Sequence, residues 1–167
     1  VVLQTVAGNK NAIGYISLGA LNEQVKALKV DGTAASSATV KDGSYPLARH
    51  FLLGTLGENR PEVQDFMDYI LSDLGQQVIG EADYVTVSEG SYTASDLSGT
   101  VKVAGSTSVA PVMEKLAEAY MALNPNVKVE IQTFDSSTGL SSLAEGLCDI
   151  AMSSRNLKDS EIAKGIV

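Results

Sequence analysis

The chain predicts an α/β fold, a mostly parallel sheet with helices on both faces. Residues 101–152 alternate short β-prone runs with helical runs, residues 61–74 carry a clear amphipathic helix pattern, and further β-prone runs precede that helix. The alternation points to parallel strands, because a connection that returns to the same edge of a sheet has to cross it and is usually a helix. With 167 residues, 44% hydrophobic and 19% charged, the chain is long enough to bury a real core. No fixed internal period is present, so a solenoid or propeller is not supported.

Taken in order, Gly14-Tyr15-Ile16-Ser17-Leu18 and Val25-Lys26-Ala27-Leu28-Lys29-Val30 have β character, and Asp31-Gly32 supplies turn chemistry after them. Phe51-Leu52-Leu53 is a further apolar run. Pro61 suits a first helical turn, and Val63, Phe66, Met67, Ile70, Leu71 and Leu74 then fall on one helical face. Gly75 and Gly80 are expected to end or break this helix, and Tyr84-Val85-Thr86-Val87 to form a short strand. Glu58, Glu62, Asp65 and Asp68 read as a solvated face, not as paired catalytic carboxylates. Residues 88–99 are polar and without period; they predict a surface linker, which proteases are expected to cut first between Ser91 and Ser98. Beyond it, Val101-Lys102-Val103-Ala104 predicts a strand, 111–123 a helix, 127–134 a strand, 140–145 a helix and 149–152 a strand. The expected core includes Val63, Phe66, Ile70, Leu116, Ala117, Val129, Ile131, Ile150 and Met152.

Composition removes several classes of function. A formal net charge of −8 leaves no broad basic face for nucleic acid or an anionic membrane. Cys148 is the single cysteine, flanked by Leu147 and Ile150 in a segment that reads as buried, and His50 is the single histidine, so neither a disulfide framework nor a metal-ligand cluster is predicted. Gly105-Ser106-Thr107-Ser108 fits neither a G-x-S-x-G elbow nor a lysine-bearing phosphate loop. An enzyme is therefore not expected, nor a cofactor. No apolar run approaches the roughly 20 residues of a bilayer span, and residues 1–8 lack the pattern of a signal peptide.

In open α/β sheets, ligands bind beyond the carboxyl ends of the strands. Here the three post-strand segments are hydroxylic: Gly105-Ser106-Thr107-Ser108, Asp135-Ser136-Ser137-Thr138-Gly139 and Ser153-Ser154-Arg155-Asn156. Helix amino termini carry free N–H groups and about +0.5 of an elementary charge, hydroxyls add short donors, and Arg155 adds a fork matched to oxyanion oxygens. Helix capping alone accounts for any one of these loops. Together they leave an oxyanion site and simple capping both open.

Val103-Ala104-Gly105-Ser106-Thr107-Ser108-Val109-Ala110-Pro111 resembles the opening strand, anion loop and helix of PstS-type phosphate-binding proteins of ABC transporters. Residues 129–139 and Gly146-Leu147-Cys148-Asp149-Ile150-Ala151-Met152-Ser153-Ser154-Arg155-Asn156-Leu157 continue the resemblance to the family's amino-terminal portion. Gln4-Thr5-Val6-Ala7-Gly8-Asn9-Lys10-Asn11-Ala12-Ile13-Gly14-Tyr15 resembles a later part of the family, and 45–87 its carboxyl-terminal end. The resemblance implies one periplasmic-binding-protein-like lobe over 1–167, circularly permuted, with the family's carboxyl-terminal portion at 1–87, the linker at 88–99 and the amino-terminal portion at 100–167. A deliberate permutation and a piece of a protein with two such units in tandem both give this order. The second lobe, with its Arg-x-x-x-Ser-Gly-Thr motif, is expected to be absent.

By the same resemblance, Thr107, Ser108, Ser137, Ser154 and Arg155 contact phosphate, with Ser106 beside them. Ser154 stands where some members of the family place an aspartate that accepts from protonated phosphate; Asp135 is nearby as another acceptor or as a helix cap. The implied function is capture of inorganic phosphate for an ABC permease, by a protein that is extracellular or in the cell envelope and membrane-anchored in its parent form. With one wall of the cleft missing, binding of phosphate or sulfate is expected in the millimolar range, on the order of −4 kcal/mol. The uncovered inter-lobe face implies a homodimer, and a structural or signalling module that binds no ligand is the alternative function.

Overall fold

The computed structural model describes residues 2–88 and 90–167; Val1, and Glu89 of the expected linker, lie outside the described residues. Residues 1–48 with 80–85 form one compact unit and residues 49–79 with 86–167 another.

The first unit is built from short pieces: α1 (Val2–Ala7), a 3-10 turn at Leu18–Ala20 and α2 (Ser37–Lys41). Ser36 caps α2 reciprocally with Thr39, each hydroxyl accepting from the other residue's backbone N–H. Among the unit's described residues only Ala82 is buried. The strands expected at 14–18, 25–30 and 84–87 do not form. Backbone bonds in the first two regions are local, Ala20 N–H to Ser17 O and a single bridge between Val30 and Thr33, since β propensity without a paired neighbour does not make a strand.

The second unit holds a four-stranded sheet in the order β1-β4-β2-β3, with β1 at Leu52–Gly54, β2 at Gly99–Ser106, β3 at Val127–Phe134 and β4 at Ile150–Ser153. β2 runs parallel to both β3 and β4, whereas β1 runs antiparallel to β4, with Leu52 opposite Ser153. Around it lie α3 (Pro61–Leu71), α4 (Asp73–Glu81, whose last two residues belong to the first unit), α5 (Ala110–Leu123), α6 (Ser136–Ala144) and α7 (Asp159–Ile162).

The alternation of a strand divides the core in two. Ala104 and Ala151 join Leu140 and Leu143 of α6, with Cys148 and Ile166, in one cluster. Val101 and Val103 are buried, as are Val63, Phe66, Tyr69 and Ile70 of α3 and Met113, Leu116, Ala117 and Tyr120 of α5. Helix α3 packs on β2 and on α5, and the Phe66 and Tyr120 rings meet at 4.8 Å between centroids. Of the nine expected core residues, Ile131 alone is only half-buried, because β3 is an edge strand.

Four local expectations need correction. Helix α3 ends at Ser72, not at a glycine: Ser72 is extended, and its hydroxyl donates to the Tyr69 carbonyl at 2.6 Å. Gly75 lies inside α4, where a Cβ would stand 2.3 Å from that same carbonyl oxygen, so its role is close approach between two helices. Leu71 and Leu74 are exposed, and so is Leu147, which read as buried beside Cys148. Glu62 is buried against Arg60, and Asp65 is no solvated carboxylate: its Oδ2 accepts from Tyr120 Oη (2.6 Å), Tyr92 Oη (2.7 Å) and Ser95 Oγ (3.0 Å).

Those bonds alter the picture of residues 88–99. Buried Asn124 also donates to Tyr92 Oη and accepts from Ser95 N–H, Ser88 Oγ donates to the Leu71 carbonyl, and Gly99 already belongs to β2. The described part of this segment is a strap fixed to α3 and α5 by polar side chains.

Candidate functional site

The register sets the carboxyl ends of β2, β3 and β4 side by side, with Gly105 opposite Met152 on one flank and Thr133 on the other. Gly105 has φ +131, and a Cβ there would lie 2.3 Å from the Met152 carbonyl oxygen. This glycine therefore serves backbone packing at the point where the chain turns out of the sheet.

The loops that follow are joined by hydroxyl groups. Ser106 Oγ donates to Ser154 Oγ at 3.0 Å and accepts from Ser108 N–H at 3.3 Å, while Ser154 N–H donates to Ser136 Oγ at 3.1 Å. Arg155 Nη2 donates to Ser137 Oγ at 3.0 Å. Five of the six expected residues, Ser106, Ser108, Ser137, Ser154 and Arg155, thus meet in bonded groups at one edge of the sheet. Thr107 stands exposed in the same loop, its N–H donating to the Phe134 carbonyl.

Two carboxylates enter this edge. Asp135 caps α6, its Oδ1 accepting from Ser137 N–H (2.8 Å) and Thr138 N–H (3.0 Å); bonds from the Thr138 side chain and backbone, then from Ser137, hold it below the ordinary aspartate range. Glu161 of α7 grips Arg155 through both oxygens, at 2.7 and 2.9 Å. That contact, helped by Lys158 N–H and opposed by burial, lowers the Glu161 carboxyl to about 2. An unfolded glutamate titrates near about 4.3. The pair's contribution to stability is therefore complete above that value and is lost as pH falls toward about 2. Carbon-13 NMR of the Glu161 carboxyl is expected to follow an acid midpoint near 2; a midpoint near 4 would show that the pair is not formed in solution.

One residue of this edge lay outside the expectations. Arg49 Nη2 donates to Ser108 Oγ at 3.2 Å. Attention to residues after strands misses it, because an antiparallel strand delivers the residues before it to the same edge. His50 is exposed. Burial, then the neighbouring Asp149, pushes the Cys148 thiol up to about 11. Among the described residues no group of three or more His, Cys, Asp or Glu side chains is placed to hold a metal, and no helix is long and apolar enough to cross a membrane.

Residues 90–167 match the model of a PBP superfamily domain. Phosphate-binding protein PstS 2 of Streptococcus agalactiae is 47% identical over 168 residues, covering 99% of this chain and 57% of its own length. A crystal structure of a phosphate-binding protein of a phosphate ABC transporter from Streptococcus pneumoniae superposes with a TM-score of 0.87 at 45% identity, covering 99% of this chain and 65% of that one. Phosphate-binding protein PstS of Pseudomonas aeruginosa is 41% identical over 69 residues, 41% of this chain. The chain thus spans a little over half the length of the first of these relatives.

Proposed function

This chain belongs to the family of PstS-type phosphate-binding proteins, and on that premise we propose that it forms an oxyanion-binding wall of a solute-binding protein that captures inorganic phosphate for an ABC permease. The observation that carries this reading is the meeting of Ser106, Ser108, Ser137, Ser154 and Arg155 at the carboxyl edge of β2, β3 and β4. Phosphate has lone pairs on every oxygen, and this edge offers hydroxyls that rotate, a guanidinium and backbone N–H groups. Thr107 completes the set as an exposed hydroxyl at the same loop. Binding, not turnover, is the chemistry of such an edge, and the protein acts outside the cytoplasm, in or beyond the cell envelope.

We propose, on the resemblance of 1–87 to the carboxyl-terminal portion and of 100–167 to the amino-terminal portion of the family, that these portions are circularly permuted relative to members such as the P. aeruginosa protein. The S. agalactiae protein shares the order of this chain, since its match runs through both portions in one alignment. Failure of the P. aeruginosa fold to overlay residues 49–87 and 100–167 together would remove this reading.

A second reading, a module that holds no ligand, is favoured by one observation: Asp135 and Glu161 already satisfy the first amides of α6 and the Arg155 fork. Titration with inorganic phosphate separates the two. Amide shifts at 105–108, 136–138 and 154–155 are expected to saturate in the millimolar range, because each oxyanion contact open to water gives only part of the roughly 1.5–3 kcal/mol of an enclosed one. No shift at tens of millimolar phosphate would leave the second reading standing.

A further inference from the structure

Of the three arginines in the chain, two are already neutralised. Arg155 is held by both oxygens of Glu161, and Arg60 by Glu62 and Asp149. Arg49 makes no ion pair among the described residues and donates instead to a neutral acceptor, Ser108 Oγ. A guanidinium in that situation keeps its full charge and most of its five donors for another partner.

Strand direction explains how it reaches this edge. Because β1 is antiparallel to β4, with Leu52 opposite Ser153, the residues just before β1 emerge beside Ser154 and Arg155. Arg49, Ser108, Ser106 and Ser154 then form one run of contacts across the edge. The charges of the bonded groups give the run its meaning. Asp135, Glu161 and Arg155 together sum to −1, which repels an oxyanion; adding Arg49 brings the edge to neutrality, within a chain whose net charge is −8.

We propose that Arg49 is an anion-contacting residue of the oxyanion site, adding to Arg155, which Glu161 offsets, a positive charge that no carboxylate offsets; this inference rests on the oxyanion reading given above. Ser108 works with it. Its hydroxyl accepts from the guanidinium and keeps its own proton to donate to the same anion oxygen. The ligand class that follows is a small inorganic oxyanion, with inorganic phosphate as the probe.

The test titrates the protein and its Arg49→Gln, Arg49→Lys and Ser137→Ala variants with inorganic phosphate, following amide shifts at low and moderate salt. Arg49→Gln is expected to raise the half-saturating concentration about tenfold to a hundredfold and to flatten its dependence on salt, with the melting temperature unchanged. Arg49→Lys is expected to recover part of the affinity, with the salt dependence kept, since it restores the charge but not the fork. If Arg49→Gln binds as the unaltered protein does while Ser137→Ala binds more weakly, the role of Arg49 falls and the oxyanion site stands. If the unaltered protein gives no response to phosphate, both fall. Should the glutamine variant fail to fold, the lysine variant decides: a several-fold loss supports direct contact by the guanidinium, and unchanged affinity overturns it.

Discussion

Gly105→Ala is expected to destabilise the protein by about 3 kcal/mol or more, the sum of a left-handed backbone strain and an overpacked contact. The φ of +131 disfavours any side chain, and the new methyl would meet the Met152 carbonyl oxygen of the neighbouring strand at 2.3 Å. Neither group can yield cheaply. Met152 is fully buried in β4, one of the two inner strands, and Gly139 packs its backbone against Gly105 from α6. Thermal unfolding read by circular dichroism should show a fall of roughly 10 °C in melting temperature for a domain of this size. A change within a degree or two would mean that the end of β2 can relax, and that Gly105 is not needed for this packing.

Asp65→Ala should be nearly as costly, by about 2–4 kcal/mol, through a different mechanism. One carboxylate oxygen accepts from Tyr120, Tyr92 and Ser95, and its removal leaves the buried Tyr120 hydroxyl without that acceptor, at the full cost of desolvation. Burial, then the Asp65 carboxylate, pushes the Tyr92 phenol up to about 12 and the Tyr120 phenol higher still. The second consequence is local: the strap over 90–98 loses the anchor that ties it to α3. Limited proteolysis should cut the variant between Ser91 and Ser98 much faster than the unaltered protein, which is expected to resist there. Equal cutting rates would return that segment to the free linker expected from its composition.

These two residues also mark where the sequence is legible and where it is not. Helix α3 and strand β3 are readable in outline because a 3.6 period, or the alternation of Val127, Val129, Ile131 and Thr133 with polar residues, survives without tertiary information. The hydroxylic segments of the candidate site are readable for the same reason: each lies next to a strand that announces itself. Asp65 is not, since a carboxylate on a helix reads as solvated until three hydroxyls arrive from positions 92, 95 and 120. Residues 14–18 and 25–30 mislead in the opposite direction, being β-prone runs that find no strand to pair with. Arg49 is hidden by topology: its place at the edge depends on the direction of β1, which a three-residue strand does not reveal.

The antiparallel pairing of β1 with β4 has a consequence for assembly of the sheet. It joins Leu52 to Ser153, closing a loop of about 100 residues, whereas β2 and β4 join Val103 to Ile150 across about half that distance. Loop entropy rises only slowly with length, by about 0.6 kcal/mol per doubling. The difference that counts is therefore one of order in time: β2, α5, β3, α6 and β4 are contiguous and can assemble from near-neighbour contacts, while β1 must find an edge that already exists. The hydroxyl groups of the candidate site are laid down with the contiguous part, and Arg49 reaches them only when that last strand docks.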